Sequence, residues 1–330
     1  MAVLIFLGFF VSAIATFFIA SNLAVFGDAV KEKTKATSTV VGAVIGIAIS
    51  LPELTSSVTA VIIDTPGLAV GNLIGSNLFN LLGLAVFDLI YRKHQIMTQT
   101  TVESKLYAYL VIFLTIIVIV AVSFPLPTPF LHISYSTFAL VLLYVIGAQL
   151  INKRTEYKGR KVKNERKQER YREYTRKQVL TRFISLAVAI MIMGSILTVT
   201  AEEIAQITGL GSSFIGAFLV AISTSLPDAS SVGTALKMRN YNLAISSLIG
   251  SNAFNILILA ITDVMYFRGN LFSESSQVNI IIAIASIVFV LLFLISISRK
   301  SPKYQFTYVI PSILIVVLYF AVSFVSFQMK

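Results

Sequence analysis

The sequence predicts an all-α polytopic membrane protein whose ten transmembrane helices form two inverted five-helix repeats. Three observations lead to this prediction. The 330-residue chain is 56% hydrophobic and 12% charged, with a mean hydropathy of +0.86, whereas a soluble domain carries about 25% charged residues. Its apolar residues fall into ten segments of membrane-spanning length. Two polar motifs occur twice, in the same order and with the same spacing.

Each apolar segment approaches the roughly 20 residues that a helix needs to cross a bilayer. The segments cover residues 3–24, 39–63, 67–91, 105–124, 129–151, 180–201, 211–236, 241–267, 276–298 and 304–327. The first segment has neither a charged leader nor a small-residue cleavage site. We therefore expect it to be a retained helix and not a signal peptide.

Basic residues are concentrated in the loops of one side. Of the 26 Lys and Arg residues, 13 lie within 153–182. If the amino terminus is outside, 24 of the 26 fall on the inner side, and only Arg268 and Lys330 fall outside. The positive-inside rule thus predicts a cell-membrane protein with both termini outside and a cytoplasmic loop. The net charge of +11 is then explained by basic cytoplasmic loops, which face the membrane lipid. We expect the protein to bind no nucleic acid and to need no obligate protein partner.

The basic loop 152–179 divides the chain into two domains, 1–151 and 180–330. Each domain has an odd number of predicted helices, so the second enters the membrane upside down relative to the first. Inverted repeats of this kind hold their ion sites near the bilayer midplane, between the repeats. The duplicated core of each domain spans about 39–91 and about 211–267.

An offset of 175 residues superposes the two copies without a gap. It places SLPELTSS (50–57) on SLPDASSV (225–232), and GSNLFN (75–80) on GSNAFN (250–255). Glu53 thereby matches Asp228, and the inverted topology predicts that the two carboxylates face each other. Because an intramembrane acid is costly and usually functional, the matched pair predicts an ion site. Asp88 and Asp263 also match, but they lie at helix ends, where we expect structural or vestibule roles.

The side chains around the two carboxylates supply only oxygen. Pro52 and Pro227 lack an N–H, so we expect broken helices with bare carbonyl oxygens one turn before each carboxylate. Oxygen ligands without His or Cys favour hard cations such as Na⁺, Ca²⁺, Mg²⁺ or Mn²⁺. The chain has no cysteine, and it shows no nucleophile–base pair or phosphate loop. We therefore expect a protein that is not an enzyme and has no cofactor.

With these two blocks the chain resembles the calcium/cation antiporter superfamily, and specifically its sodium/calcium exchanger branch, over its whole length. The resemblance implies that Glu53 and Asp228 are the central carboxylates shared by Ca²⁺ and Na⁺. It implies a wider ligand set of hydroxyls, amides and backbone carbonyls, with Thr224 at a flanking Na⁺ site. That set is Ser50, Ser225, Ser76, Ser251, Asn80, Asn255, Gly46, Ala221 and Thr224.

Three positions depart from the family pattern. Ile49 stands where the first repeat normally has a threonine, which leaves one flanking Na⁺ site and the usual ratio of Na⁺ to Ca²⁺ open. Ser246 and Ser247 replace Gly-Asn, and Asn255 replaces an Asp of some relatives, which argues against K⁺ co-transport. We predict exchange of Na⁺ for Ca²⁺ by alternating access, with the first and sixth helices sliding as the resemblance implies.

Two alternatives remain open from the sequence. A proton-coupled exchanger of the same fold, or one that carries Mn²⁺ or Mg²⁺, is motivated by Ile49. A cation channel uses similar acidic and carbonyl groups, but it would pass ions without a counter-ion. Ion-dependent flux in vesicles distinguishes all three.

Overall fold

The computed structural model describes residues 1–33, 47–124, 133–159, 173–299 and 305–329. In this part of the chain, nine helices are long and apolar enough to cross a membrane. Only the carboxyl-terminal part of the second predicted segment, 39–63, is described. The helices are α1 Ala2–Lys33, α2 Leu51–Ile62, α3 Pro66–Ile90, α4 Val102–Ser123, α5 Tyr135–Gly159, α6 Arg176–Thr208, α7 Ser212–Lys237, α8 Tyr241–Met265, α9 Gln277–Ser298 and α10 Gln305–Gln328.

The apolar runs become helices because a bilayer cannot satisfy exposed backbone polar groups. Outward-facing side chains are correspondingly apolar, as for Phe10, Phe18, Phe113 and Phe320, which are all exposed. The predicted fold class is confirmed: the protein is an all-α, multi-pass membrane protein. Duplicated α2–α3 and α7–α8 units form its centre.

The duplication extends to backbone detail in the turns α2–α3 and α7–α8. Asp64 and Arg239, which are 175 residues apart, both adopt the left-handed conformation, with φ of 65° and 58°. The N–H of the following residue bonds the carbonyl five residues earlier, at 2.8 Å in the first turn and 2.9 Å in the second. Inversion places these two like turns at opposite ends of the helix bundle, one with an acid and the other with a base.

The two prolines have different effects on their helices. Helix α2 begins at Leu51 after an irregular Ser50, with Pro52 in its first turn, so the expected break before Glu53 is confirmed. The expected break at Pro227 is wrong, because the helical path continues from Ala221 to Lys237 through that proline. The irregularity in α7 is a π-helical stretch, Gly216–Val220, which lies earlier. A proline removes one hydrogen bond, and here that loss alone does not interrupt the helix.

Glycines bring α3 and the first half of α7 into backbone contact. A Cβ atom on Gly75 would lie 2.3 Å from the carbonyl oxygen of Ala217, and one on Gly71 would lie 2.4 Å from that of Ser213. The same holds on the other helix, where a Cβ atom on Gly216 would lie 2.4 Å from the carbonyl oxygen of Leu68. Small residues therefore determine how closely α7 approaches α3.

Asp88 and Asp263 each connect one repeat to the fifth helix of the other. Asp88 on α3 accepts hydrogen bonds from Tyr308 and Ser312 of α10, the latter at 2.6 Å. Asp263 on α8 accepts a hydrogen bond from Thr137 of α5. Thr137 and Ser312 are again 175 residues apart. Both carboxylates are about 1% exposed or less, so these paired acids are structural connections between the repeats.

Candidate functional site

The two predicted carboxylates lie buried at the centre of the bundle. Glu53 on α2 is 1% exposed and Asp228 on α7 is 8% exposed. The Ser225 hydroxyl donates to Glu53 Oε1 at 3.5 Å, and the Ser251 hydroxyl donates to Asp228 Oδ2 at 2.8 Å. Ser225 precedes Asp228 by about one turn of α7, so its contact with Glu53 brings the two carboxylates to the same region. The first contact joins the two repeats, and the second joins α7 to α8.

Eleven buried side-chain oxygen atoms have no hydrogen-bond partner in the described part of the chain, and four of them belong to predicted ligands. These four are Glu53 Oε2, Ser76 Oγ, Asn80 Oδ1 and Asn255 Oδ1. Buried polar atoms are normally paired, and an unpaired one costs about 1–3 kcal/mol. Such oxygens are suited to coordinate a hard cation.

The asparagine cluster, Asn77, Asn80, Asn252 and Asn255, joins α3 to α8 beside the carboxylates. The amide of Asn80 donates to Asn252 Oδ1 at 2.9 Å, and the amide of Asn255 donates to Asn77 Oδ1 at 3.0 Å. Each bond uses one N–H of the amide group, and the carbonyl oxygens of Asn80 and Asn255 stay unpaired among the described residues. Asn80 also lies beside Asp228.

One flank of the carboxylates is polar. The Thr224 hydroxyl lies 3.2 Å from Asn72 Oδ1 and 3.3 Å from the carbonyl oxygen of Ala221. The Asn72 amide in turn donates to Ser57 Oγ at 2.9 Å and to the Glu53 carbonyl at 3.3 Å. The flank therefore gathers hydroxyl, amide and backbone oxygens from both repeats, and Thr224, Asn72 and Ser57 are all buried.

The opposite flank borders a cavity of about 270 Å³, the Asp228 cavity. Ser50 and Asp228 line it together with apolar groups that include Ile49 and Tyr144. The other lining residues are Ser231, Val232, Ser247, Leu248, Gly250, Ser251 and Phe254. The cavity lies at the end of α7 that leads to the α7–α8 turn.

Of the predicted ligands, ten lie in the described part of the chain and Gly46 lies outside it. Hydrogen bonds connect Ser225 to Glu53, Ser251 to Asp228 and Thr224 to Ala221. Ser50 shares the Asp228 cavity, and the Ser76 hydroxyl has no hydrogen-bond partner in the described part of the chain. The predicted ligand set omitted three participants, Asn72, Asn77 and Asn252. The signal was present for all three. Asn72 lies on the same helical face as Ser76 and Asn80, at a spacing of four residues, and Asn77 and Asn252 are the Asn of the repeated GSN motif.

A second cavity, the acidic cavity, has a volume of about 430 Å³ and lies at the other end of α7, where Asp64, Glu202 and Glu274 line it. Asp64 accepts hydrogen bonds from Arg268 at 2.6 Å and from Tyr266 at 2.9 Å. These two bonds lower the pKa of Asp64 below its usual value.

Aromatic side chains occupy α7 between the acidic cavity and Thr224. Phe214 lines that cavity, and its ring centroid lies 4.9 Å from that of Phe218, one turn further along. The Phe218 ring in turn contacts that of Tyr319 at 5.8 Å. Apolar packing thus fills this part of the helix, whereas the Asp228 end borders a cavity.

The site differs from a preformed cluster of charged metal ligands. Within the described ranges, no group of three or more His, Cys, Asp or Glu residues is placed to hold a metal ion. Two carboxylates and neutral oxygens form the site instead. This composition suits an ion that is bound and released, because high affinity for Ca²⁺ requires more ligand charge.

Solved structures share this fold, whereas no curated protein sequence matches the chain. A crystal structure of the H⁺/Ca²⁺ exchanger CAX is 14% identical, covers 98% of this chain and 88% of its own, and has a TM-score of 0.66. Native YfkE is 17% identical with 97% and 92% coverage and a TM-score of 0.67. The sodium-calcium exchanger NCX_Mj is 21% identical with 97% and 98% coverage and a TM-score of 0.57. At these identities the likeness establishes the fold alone.

The family comparison covers both halves of the chain. The sequence model of the family described as sodium/calcium exchanger protein matches residues 2–150 and 179–328. The matched segments contain both copies of the duplicated motifs and all ten described ligand candidates. The chain therefore belongs to the sodium/calcium exchanger protein family.

Proposed function

We propose that the protein exchanges Na⁺ for Ca²⁺ across the cell membrane by alternating access. The observation that carries this proposal is the set of unpaired buried oxygens on Glu53, Ser76, Asn80 and Asn255. They accompany two carboxylates in a region that apolar helices surround. A hard cation would satisfy these oxygens, and Ca²⁺ accepts six to eight oxygen ligands in flexible geometry.

The coupling follows from the charge of the site. Glu53 and Asp228 together carry a charge of about −2 when both are ionised, and leaving buried charges unpaired is strongly unfavourable. Ca²⁺ or Na⁺ neutralises them, so a loaded site can cross to the other side of the membrane. When no cation is bound, the change between inward and outward access would carry uncompensated buried charge. Return of the empty protein, without a counter-ion, is therefore slow.

Orientation assigns the two cavities to the two sides of the membrane. The α7–α8 turn carries Lys237 and Arg239, and the positive-inside rule assigns such a turn to the cytoplasm. The Asp228 cavity then faces the cytoplasm, and the acidic cavity faces outward. In the same orientation both termini are outside and the loop 152–179, between the repeat domains 1–151 and 180–330, is cytoplasmic.

Helices α1 and α6 are the proposed moving elements. They make extensive contact with each other, and α6 also packs against α2. Thr198 of α6 donates to the Ser56 carbonyl at 3.3 Å, and the hydroxyls of Thr59 and Ser195 lie 2.9 Å apart. Hydroxyl groups can exchange partners of this kind along a neighbouring helix, which is compatible with sliding.

A second candidate is H⁺-coupled exchange of Ca²⁺, which Ile49 favours. This apolar side chain lines the cavity next to Asp228, where a threonine would supply a hydroxyl to Na⁺. A proton needs no such ligand, since it binds the carboxylate itself. Mn²⁺ and Mg²⁺ are the other substrates that an all-oxygen site accommodates.

The decisive experiment is uptake of radioactive Ca²⁺ into proteoliposomes of the purified protein. Vesicles are loaded with Na⁺, with K⁺, or with a pH gradient in the absence of Na⁺. Uptake that requires internal Na⁺ supports the proposal, whereas uptake that follows the pH gradient supports the H⁺-coupled candidate. Ca²⁺ flux without any counter-ion would indicate a channel. Absence of Ca²⁺ flux would direct the same assay to Mn²⁺ and Mg²⁺.

A further inference from the structure

The two flanks of the ion site derive from the same duplicated sequence but differ in chemistry. The 175-residue offset pairs Thr224 with Ile49, Asn72 with Ser247, and Ser57 with Val232. The first member of each pair belongs to the polar flank described above, in which Thr224, Asn72 and Ser57 are connected. The second members all line the Asp228 cavity.

The Ile49 flank has lost each equivalent oxygen or turned it away. The side chains of Ile49 and Val232 have no polar atom, and Val232 is 2% exposed. The remaining hydroxyl, that of Ser247, donates to the carbonyl of Ala244 on its own helix at 3.2 Å. Serine is also too short to reach across the interface as Asn72 does. Three independent positions therefore remove side-chain ligands from the same flank.

The charge of the site limits how many cations it can hold. Among the described side chains that contact the two carboxylates or carry the four unpaired oxygens of the site, only Glu53 and Asp228 are acidic. Asn80 and Asn255 are neutral, and both are buried. One Ca²⁺ balances two carboxylates, and so do two monovalent cations. A third monovalent cation would add an unpaired buried charge, which is unfavourable.

We propose that this site has one flanking position for a monovalent cation, at Thr224, and none at Ile49, so that two monovalent cations exchange for each Ca²⁺ without net charge movement. The inference rests on the proposed function, with Na⁺ as the coupling ion. The second monovalent cation occupies the space between the carboxylates.

Membrane voltage tests this ratio directly. Proteoliposomes are clamped with valinomycin and K⁺ gradients while Ca²⁺ accumulation is followed under the coupling-ion gradient. For exchange without net charge movement, we expect voltage to leave the final ratio of internal to external Ca²⁺ concentration unchanged. If one net charge moved per cycle, that ratio would shift roughly fiftyfold per 100 mV. A shift of that size in coupled flux would overturn this inference and leave the proposed function intact.

Absence of coupled Ca²⁺ flux under every gradient would instead overturn the proposed function, and this inference with it. The double substitution Ile49→Thr with Ser247→Asn restores two of the three polar side chains of that flank and should introduce voltage dependence or a steeper dependence on Na⁺. The matched control is Ile47→Thr, the same change at a position that is 47% exposed. A rebuilt flank that behaves like this control would contradict the role of Ile49. Wild-type voltage independence remains decisive if the double variant fails to fold.

Discussion

Asn77 and Asn252 lie 175 residues apart in the chain, and each donates its side-chain amide to the backbone carbonyl of the other. The two bonds measure 3.0 and 3.1 Å. They are the reciprocal contacts that a pseudo-two-fold axis between α3 and α8 requires. Because the same two residues accept the amides of Asn80 and Asn255, this axis also orients the unpaired oxygens of the site.

We expect Asn77→Ala and Asn252→Ala to destabilise the protein by about 1–3 kcal/mol each, because each leaves buried partners unpaired. The double variant should cost less than the sum of the two, since they share one hydrogen-bond cluster. Thermal unfolding in detergent measures all three. Additive losses would show that the cluster does not act as a unit.

Glu53→Gln and Asp228→Asn should each reduce initial Ca²⁺ uptake by roughly tenfold to a hundredfold. A bond to a charged group contributes about 1.5–3 kcal/mol, and each 1.4 kcal/mol is tenfold in binding. Uptake by proteoliposomes with equal protein content provides the measurement. Asp64→Asn is the matched control, because it neutralises an acid far from the carboxylates. Normal uptake by either site variant would remove that carboxylate from the site.

Gly75 and Gly250 occupy equivalent positions in the two repeats, but we expect their substitution by alanine to have opposite effects on stability. Gly75→Ala would place a methyl group 2.3 Å from the Ala217 carbonyl, and overpacking of this kind costs about 1–3 kcal/mol or more. Around Gly250, the described residues leave the corresponding space open. Gly250→Ala should therefore unfold near the wild-type temperature. Gly83→Ala, with no neighbour within 4 Å of the added atom among described residues, is the helix control.

Asp88→Asn and Asp263→Asn should lower thermal stability in detergent while leaving the ion preference of the remaining folded protein unchanged. Asparagine has one acceptor oxygen where the carboxylate has two, so bonds from Ser312 or Thr137 are lost. Each charge-assisted bond is worth about 1.5–3 kcal/mol. A change in preference between Ca²⁺ and Mn²⁺ would show that these carboxylates line the ion path.

Topology can be tested by labelling single introduced cysteines, because the chain contains no cysteine of its own. Met238→Cys, in the α7–α8 turn, and Phe267→Cys, after α8, replace residues that are 74% and 78% exposed. In intact cells, we expect a membrane-impermeant maleimide to label the cysteine at 267 and not that at 238. The reverse pattern would invert the proposed orientation and exchange the sides of the two cavities.

Hydropathy and the 175-residue offset were enough to predict the helices, the duplication and the paired acids. Burial of apolar side chains in a bilayer and the cost of intramembrane charge are local properties, which a sequence pattern reveals directly. The predicted break at Pro227 was wrong, because helix continuity is not a local property. A proline signals the loss of one hydrogen bond, but whether the helix continues depends on the packing around it.

The sequence by itself determined the membrane class of this protein, its family resemblance and the identity of Glu53 and Asp228 as matched acids. Only the tertiary structure decided which atoms remain unpaired, because hydrogen bonds from Asn77 and Asn252 depend on how α3 meets α8. It also decided that Ile49, Ser247 and Val232 share one flank. Residues far apart in the chain acquire a common chemistry only when packing brings them to the same space.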